Sequence, residues 1–458
     1  MPVDVFLPLI EETRDLTDRF AEAGKTLYLV GGIVRDAISG RVRSELDIDL
    51  TTDATPDEIE SIIRAARPRA VWTQGKRFGT IGATFASAAG DGARAYEITT
   101  HRSEVYREDS RKPAVRFATA VEEDLARRDF TVNAMAIVLV GPTERATVPG
   151  ALIDPFGGAA DLAGHRLRTP LRPEVSFSDD PLRMLRAARF IAAFELVPDA
   201  ELVEAVTKLR GRLVIVSAER IRGELDKLLL VGSPARGLQF LFDSGLAGVF
   251  LPELNGLAAL EPGDDREDFV SRTIAAVATM RGDRVLRLAA LMANLPASPE
   301  DRMRALKYSN EDVHDVVELV KLLRRLTDQR PTASGTWSDG DVRRLVRDAG
   351  PLLGRLIELT RADAGPYDET YARISSIQMD ELESRIDAMR QGEDLDEIEP
   401  DLDGTAVMAH LGVRPGRDVG EALDMLLEHR LEHGPLDAAG ARELLDRWWA
   451  ERSGKVVT

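Results

Sequence analysis

Cysteine is absent from all 458 residues, which excludes disulfides, thiolate metal sites and thiol catalysis together and fits a reducing compartment. No apolar run approaches the roughly 18 residues of a membrane span. The opening stretch MPVDVFLPLIEETRDL carries acids within its apolar residues and no basic start, so it does not read as a secretion signal. These absences predict a soluble, cytoplasmic protein without membrane contact. Positive charge is also short, since 60 Lys and Arg stand against 78 Asp and Glu and leave a formal net charge of −18. That balance points away from nucleic acid unless basic residues are gathered locally. Lysine is rarer still, with 8 against 52 arginines, a skew that a GC-rich genome explains more easily than chemistry does.

What is present is an ordinary globular composition, 44% hydrophobic and 30% charged, in a chain long enough for two to four domains. Residues 1–170 mix short strand-like runs, at 26–32, 47–52, 80–85 and 96–100, with helical stretches at 5–23 and 56–66. From about 176 the strand signals fade. Apolar residues recur at helical spacing over 179–196, 198–209, 217–231, 268–280, 284–295, 311–327 and 340–361. The class is therefore α+β, a mixed head on a long helical remainder. Residues 392–404 hold seven acids and no base, which predicts a solvated connection before a last helical segment over 405–452.

The strongest chemical signal is L-V-G-G-I-V-R-D at 29–36, followed by D-I-D at 47–49. Two glycines after a strand let backbone N–H groups approach an anion, and the positive end of the next helix begins there. On a strand Asp47 and Asp49 face the same side while Ile48 turns to the core. Two such oxygen ligands suit Mg²⁺, which takes one or two carboxylates together with substrate phosphates. Glu97, in another strand-like run, is a candidate third carboxylate; a partly exposed strand glutamate would look the same. In A-R-R-D-F-T-V-N-A-M-A (126–136), Arg128, Asp129 and Asn133 could hold a triphosphate and a ribose hydroxyl, although an ordinary helix start gives a similar pattern. In D-D-P-L-R-M-L-R-A-A-R-F (179–190), Pro181 fits a first helical turn with Asp180 as its cap. Arg183, Arg186 and Arg189 recur every third residue near one face. Asp180 offers an acceptor beside the donor fork of Arg183, which matches the edges of cytosine and adenine. Uracil and guanine put a carbonyl where Asp180 needs a donor.

Together these segments resemble the class II nucleotidyltransferases of the polymerase-β superfamily, the tRNA CCA-adding enzymes and bacterial poly(A) polymerases. GG-x-V-R-D with D-x-D, R-R-D-x-x-x-N, D-P-F-G-G (154–158) and D-D-x-x-R stand in the family's order across 25–230. S-A-E-R-I-R-G-E-L (217–225) is similar to the family's neck, and 401–423 to its C-terminal part, especially in actinobacterial members. The resemblance implies a nucleotidyltransferase head (1–170), a neck with the nucleotide-selecting helix (171–250), a helical body (251–390) and a linker with a helical tail (391–458), in an elongated arrangement. It implies that Asp47 and Asp49 bind catalytic Mg²⁺, with Glu97 as a possible third ligand. Gly32, Arg35 and Arg128 would hold the nucleotide with Asp129 and Asn133. Asp180 and Arg183 would select CTP and ATP, supported by Arg186 and Arg189. The stretch 102–125 falls where the family keeps a flexible loop, and its mixed charge fits mobility.

One departure concerns the body, where many relatives carry a His-Asp metal centre. Here Ala293 and Asn294 stand at that place and Arg272 at an earlier histidine, while His314-Asp315 reads as ordinary helix surface. The implied activity is addition of C, C and A to the 3′ end of tRNA, with release of pyrophosphate. Lys208, Arg210, Arg212, Arg220, Arg222 and Lys227, with bases in 321–330, could form the local track that RNA needs. The alternatives are a poly(A) polymerase, an enzyme adding only CC or only A, and a non-catalytic RNA-binding homologue. The intact carboxylate pair argues against the last.

Overall fold

In the computed structural model the described residues are 3–41, 47–87, 92–105, 114–141, 150–254, 265–293, 295, 298–328, 337–365 and 369–453. They divide into two compact units, Met1–Pro252 and Glu253–Thr458.

The first unit is built on a mixed sheet of seven strands. In chain order the strands are β1 (Leu27–Val30), β2 (Asp47–Thr52), β3 (Ala70–Trp72), β4 (Thr80–Ala86), β5 (Ala93–Thr100), β6 (Arg102–Val105), β7 (Ala114–Phe117), β8 (Ala136–Leu139) and β9 (Leu152–Ile153). The sheet runs β3-β4-β5-β2-β1-β8-β9, and β6 with β7 forms a separate two-stranded ladder. β2 and β5 are parallel, in a register that sets Asp49 beside Glu97; the other pairs in the sheet are antiparallel. Alternation decides the two faces, because successive side chains on a strand point opposite ways. Ile48, Leu50, Tyr96 and Ile98 are buried, whereas Asp49 and Glu97 between them are exposed. The buried set joins Leu27, Leu29, Ile81 and Ile137 in a core closed by Leu16, Phe20, Val34, Ile59 and Ile63 from the flanking helices. One of those helices, Pro56–Ala65, is started by a capping box in which Thr55 and Glu58 satisfy each other's backbone N–H groups.

Two expected helical stretches are divided in the structure. The stretch 5–23 is two helices, Leu7–Glu12 and Arg14–Glu22, divided at Thr13. Within 179–196 the helix Leu182–Phe194 starts just after Pro181, with the Asp180 side chain accepting the Leu182 N–H, while Asp179 ends the helix Pro173–Asp179 and Asp180 between them is extended (φ −135°, ψ 98°). Proline at 181 disfavours helical geometry for the residue before it. Over 340–361 the break falls at Gly350, whose φ of +48° is followed by Pro351, so that Asp339–Ala349 and Leu353–Ala364 are separate helices. Of the stretch 102–125, the described residues hold β6, β7 and the helix Val121–Ala126, and 106–113 lie outside the described residues.

The second unit is helical throughout its described residues. Its last three helices, Gly404–Leu411, Arg417–His433 and Ala438–Ser453, close on a small core of Val407, Val419, Ala422, Leu426, Ala441 and Leu445. The acidic run 392–404 is only partly solvated. Leu395, Ile398 and Leu402 anchor it in apolar surroundings, and Glu393 and Asp401 are buried against Arg343 and Arg430. Among the described residues no helix is long and apolar enough to cross a membrane.

Candidate active site

A cleft of about 330 Å³ opens on the acidic face of the sheet. Its lining takes Gly31 and Gly32 after β1, Asp49 from β2, Glu97 and Thr99 from β5, Arg127 to Asn133 in part, and Asp180, Arg183 and Arg186 from the second half of the unit.

Gly31 has a structural reason to be glycine. Its φ is +77°, and a Cβ there would lie 3.0 Å from Nη1 of Arg128 and 3.6 Å from Oδ2 of Asp49. A side chain at this position would be strained by the positive φ and would press on the Arg128 guanidinium. Gly158 of the D-P-F-G-G segment is needed for packing, since a Cβ would come within 2.1 Å of the Thr131 carbonyl oxygen. Asp154 accepts the N–H groups of Gly158 and Ala159 at 2.6 and 3.0 Å and so fixes the start of the helix Gly158–Ala163.

Charges of alternating sign run in one line along the cleft. Arg35, 4% exposed, donates to Asn133 Oδ1 at 2.5 Å. Asn133 donates to Asp129 Oδ1 at 2.9 Å, and Asp129 Oδ2 accepts Arg186 at 2.5 Å. Arg186 lies 4.0 Å from Glu224, which accepts Arg189 at 2.8 Å. Burial pushes the Asp129 carboxyl up, but Arg186, Asn133 and Arg183 outweigh it and hold its pKa down to about 2. Asp129 chiefly raises the pKa of Arg186 in return. Glu224 is likewise below the ordinary carboxylate range, because Arg189, Arg186 and Lys227 overcome its desolvation. Fully paired charges are the condition on which such groups persist inside a protein.

A second buried carboxylate holds two of the arginines on the cleft wall. Asp124 accepts Arg127 at 2.7 Å and Arg128 at 3.2 Å. Its desolvation is outweighed by those two guanidinium groups, so its pKa is lowered. Asp124 was not singled out from the sequence, although it stands four residues before Arg128, the spacing that lets helical side chains meet.

The expected site residues therefore fall into three groups. Gly32, Asp49, Glu97, Arg128, Asp129, Asn133, Asp180, Arg183 and Arg186 line the cleft. Arg35 and Arg189, expected to hold the nucleotide or support its selection directly, are not among the lining residues. Arg35 instead grips Asn133 and Asp36 with its guanidinium 4.0 Å from the Phe194 ring centroid, and Arg189 is spent on Glu224. Asp47 occupies the first position of β2, opposite Ala95; its side chain lies outside the description. Among the described residues no three His, Asp or Glu side chains are grouped as a metal centre, in this cleft or in the body. Of the body positions, Ala293 is buried, His314 is exposed, and Asn294 lies outside the described residues.

Residues 27–168 match the family model of the poly A polymerase head domain, and 196–257 match that of the probable RNA and SrmB-binding site of polymerase A. A CCA-adding enzyme of Bacillus velezensis is 39% identical over 241 residues, 52% of this chain and 54% of its own length. Over these residues the chain is similar to CCA-adding enzymes and poly(A) polymerases. At 35–40% identity it spans about half the length of the curated relatives it matches. A CCA-adding enzyme of Lactobacillus helveticus aligns over 94% of this chain and 95% of its own length at 28% identity. The crystal structure of the Bacillus stearothermophilus CCA-adding enzyme in complex with CTP shares the fold, with a TM-score of 0.70, 24% identity and coverage of 98% of this chain and 99% of that one.

Proposed function

We propose that the protein adds C, C and A to the 3′ end of tRNA from CTP and ATP, without a nucleic-acid template and with Mg²⁺. The observation that carries this reading is the meeting, in one cleft, of the carboxylates Asp49 and Glu97 with Arg128 and with the Asp180–Arg183 pair. The first set suits a triphosphate, the last a base edge. The comparisons support the substrate, since curated relatives at 35–40% identity are CCA-adding enzymes and a structural neighbour holds CTP. A cytoplasmic location belongs to the same proposal and rests on the cysteine-free composition.

The donor set fits a hard divalent cation: carboxylate oxygens on adjacent strands, in register, facing an open cleft. Asp49 and Glu97 would hold Mg²⁺, with Asp47 as a further ligand on its strand position alone. When bound, the ion lowers the pKa of the attacking hydroxyl and offsets charge on the phosphates. The chain's own groups do the remaining work. Arg128, steadied by Asp124, aims a guanidinium at the triphosphate, and Arg127 lines the same wall. Asp129 and Asn133, locked to each other and to Arg186 and Arg35, present fixed polar atoms to the sugar. Asp180 accepts from the base amino group and Arg183 donates to its ring nitrogen and neighbouring acceptor. The RNA 3′-hydroxyl oxygen then attacks the α-phosphorus, an O–P bond forms, the bond to the β-phosphate oxygen breaks, and pyrophosphate leaves.

The test is incubation with tRNA transcripts ending before C74, after C74, after C75 and after A76, with each NTP in turn. Stepwise addition of C, C and A that stops at A76 supports the reading. Repeated AMP addition past A76 would make the protein a poly(A) polymerase, and addition of only CC or only A a partial enzyme.

A further inference from the structure

The carboxylate assigned to base choice is already engaged twice. Asp180 Oδ1 accepts the Leu182 N–H at 3.1 Å, and Oδ2 accepts Nη2 of Arg220 at 2.9 Å. The first contact follows from the extended backbone at Asp180 and the helix that starts beside it. The second comes from a different element, the helix Ala218–Leu229. We propose that Arg220 is a positioning residue for base selection, which fixes the Asp180 carboxylate so that an Oδ2 lone pair meets the amino group of cytosine or adenine. The inference rests on the base-reading role given to Asp180 above.

The argument is one of rotational freedom. The terminal torsion of an aspartate is broad, so one hydrogen bond leaves its carboxylate free to swivel. Two donors from two elements remove that freedom. Oδ2 still keeps a lone pair, because a carboxylate oxygen accepts more than one hydrogen bond. The turn carrying Asp180 is gripped by other arginines as well. Arg183 donates to Ser176 Oγ at 2.8 Å and to the Arg127 carbonyl oxygen at 2.5 Å, and Arg212 donates to the Ser178 carbonyl oxygen at 3.2 Å. Those three contacts place the backbone and the donor fork; Arg220 holds the acceptor itself.

Magnitude separates this role from a structural one. The Arg220 and Asp180 side chains are 54% and 26% exposed, and an ion pair so close to solvent contributes little to stability. Its removal should therefore be felt in selectivity and not in melting temperature.

The experiment measures kcat and KM with CTP, ATP and UTP on tRNA lacking CCA, for wild type, Arg220→Ala, Arg220→Lys, Asp180→Ala and the Asp180→Ala/Arg220→Ala double variant, with Tm for each. Arg220→Ala is expected to lower the CTP-to-UTP ratio of kcat/KM by about tenfold and Asp180→Ala by about a hundredfold, since a site built to hydrogen-bond a base edge loses discrimination when that group goes. Tm should not change, Arg220→Lys should recover part of the ratio, and the double variant should be no worse than Asp180→Ala. A ratio unchanged in Arg220→Ala while Asp180→Ala collapses it would overturn the role of Arg220 alone. So would an equal loss with CTP and UTP, or a fall in Tm. Unchanged UTP exclusion in Asp180→Ala would instead remove the base-reading assignment, and this inference with it.

Discussion

Buried charge serves different ends in the two units. In Met1–Pro252, Arg35, Asp124, Asp129 and Glu224 are nearly inaccessible, and their partners line a cleft. In Glu253–Thr458 the same residue types work as separate fasteners. Arg343 joins Glu393 at 2.9 Å and the Leu431 carbonyl oxygen at 3.2 Å, Arg284 meets Asp312 at 2.5 Å, and the fully buried Arg287 donates to the Met280 carbonyl oxygen at 2.6 Å. A buried ion pair is thus no sign of a site by itself. It becomes one when the paired groups also line an open cleft, as Arg128, Asp129 and Arg186 do beside Asp49 and Glu97.

The sharpest way to break the comparison is to remove one charged side chain from each side of it. Asp49→Ala should reduce nucleotide incorporation by at least about 1,000-fold, roughly 4 kcal/mol of transition-state stabilisation, because a metal ligand is lost. Asp49 is exposed on its strand, so circular dichroism and Tm should match wild type. A variant that still adds CMP near the wild-type rate would refute the assignment. Arg343→Ala should do the reverse. Both side chains of its pair are 7% exposed, and an unpaired buried Glu393 should cost about 3 kcal/mol of stability in denaturant titration while transfer in the native state persists.

A smaller effect belongs to Asp129, and it depends on pH. Its folded pKa of about 2 lies below the ordinary 3.8. A depressed carboxylate contributes stability that is complete above its unfolded pKa and is lost as pH falls through the folded one. Asp129→Asn lacks that contribution. The stability gap between wild type and the variant, about 2 kcal/mol near neutrality, should therefore shrink between about pH 4 and about pH 2. A gap that stays constant over that window would show that the charge of Asp129 does not hold Arg186.

Short-range patterns made much of this legible from sequence. The strand Asp47–Thr52 coincides with the alternation of D-I-D-L-T-T, and the glycines, carboxylates and arginines of three separated motifs do meet in one cleft. Long-range partners were not legible. Nothing local to Arg35 says that its guanidinium is consumed by Asn133, 98 residues away, or that Arg220 reaches back 40 residues to Asp180. A motif reports which side chains are available, while tertiary packing decides which of them are already taken. The acidic run at 392–404 was legible only in part for the same reason, since charge density predicted solvation and two distant arginines reversed it for Glu393 and Asp401.

The smallest expected effect is in the body, where relatives place a His-Asp metal centre. Ala293 is 8% exposed, and its carbonyl oxygen accepts Nη2 of Arg324 at 3.1 Å. Arg287 on the same helix is buried, with its pKa pushed down by desolvation. The surroundings thus offer guanidinium groups where a transition metal needs imidazole and carboxylate. His314 is exposed on the helix Asn310–Asp328, and its neighbour Asp315 faces Arg355 at 3.7 Å. With Ni²⁺, Co²⁺ or Mn²⁺ the purified protein should show no phosphatase or 2′,3′-cyclic phosphodiesterase activity, and His314→Ala should alter neither nucleotide transfer nor Tm. Metal-stimulated hydrolysis that follows the protein through purification and disappears in His314→Ala would restore a metal centre to this half of the molecule and remove the contrast between the two units.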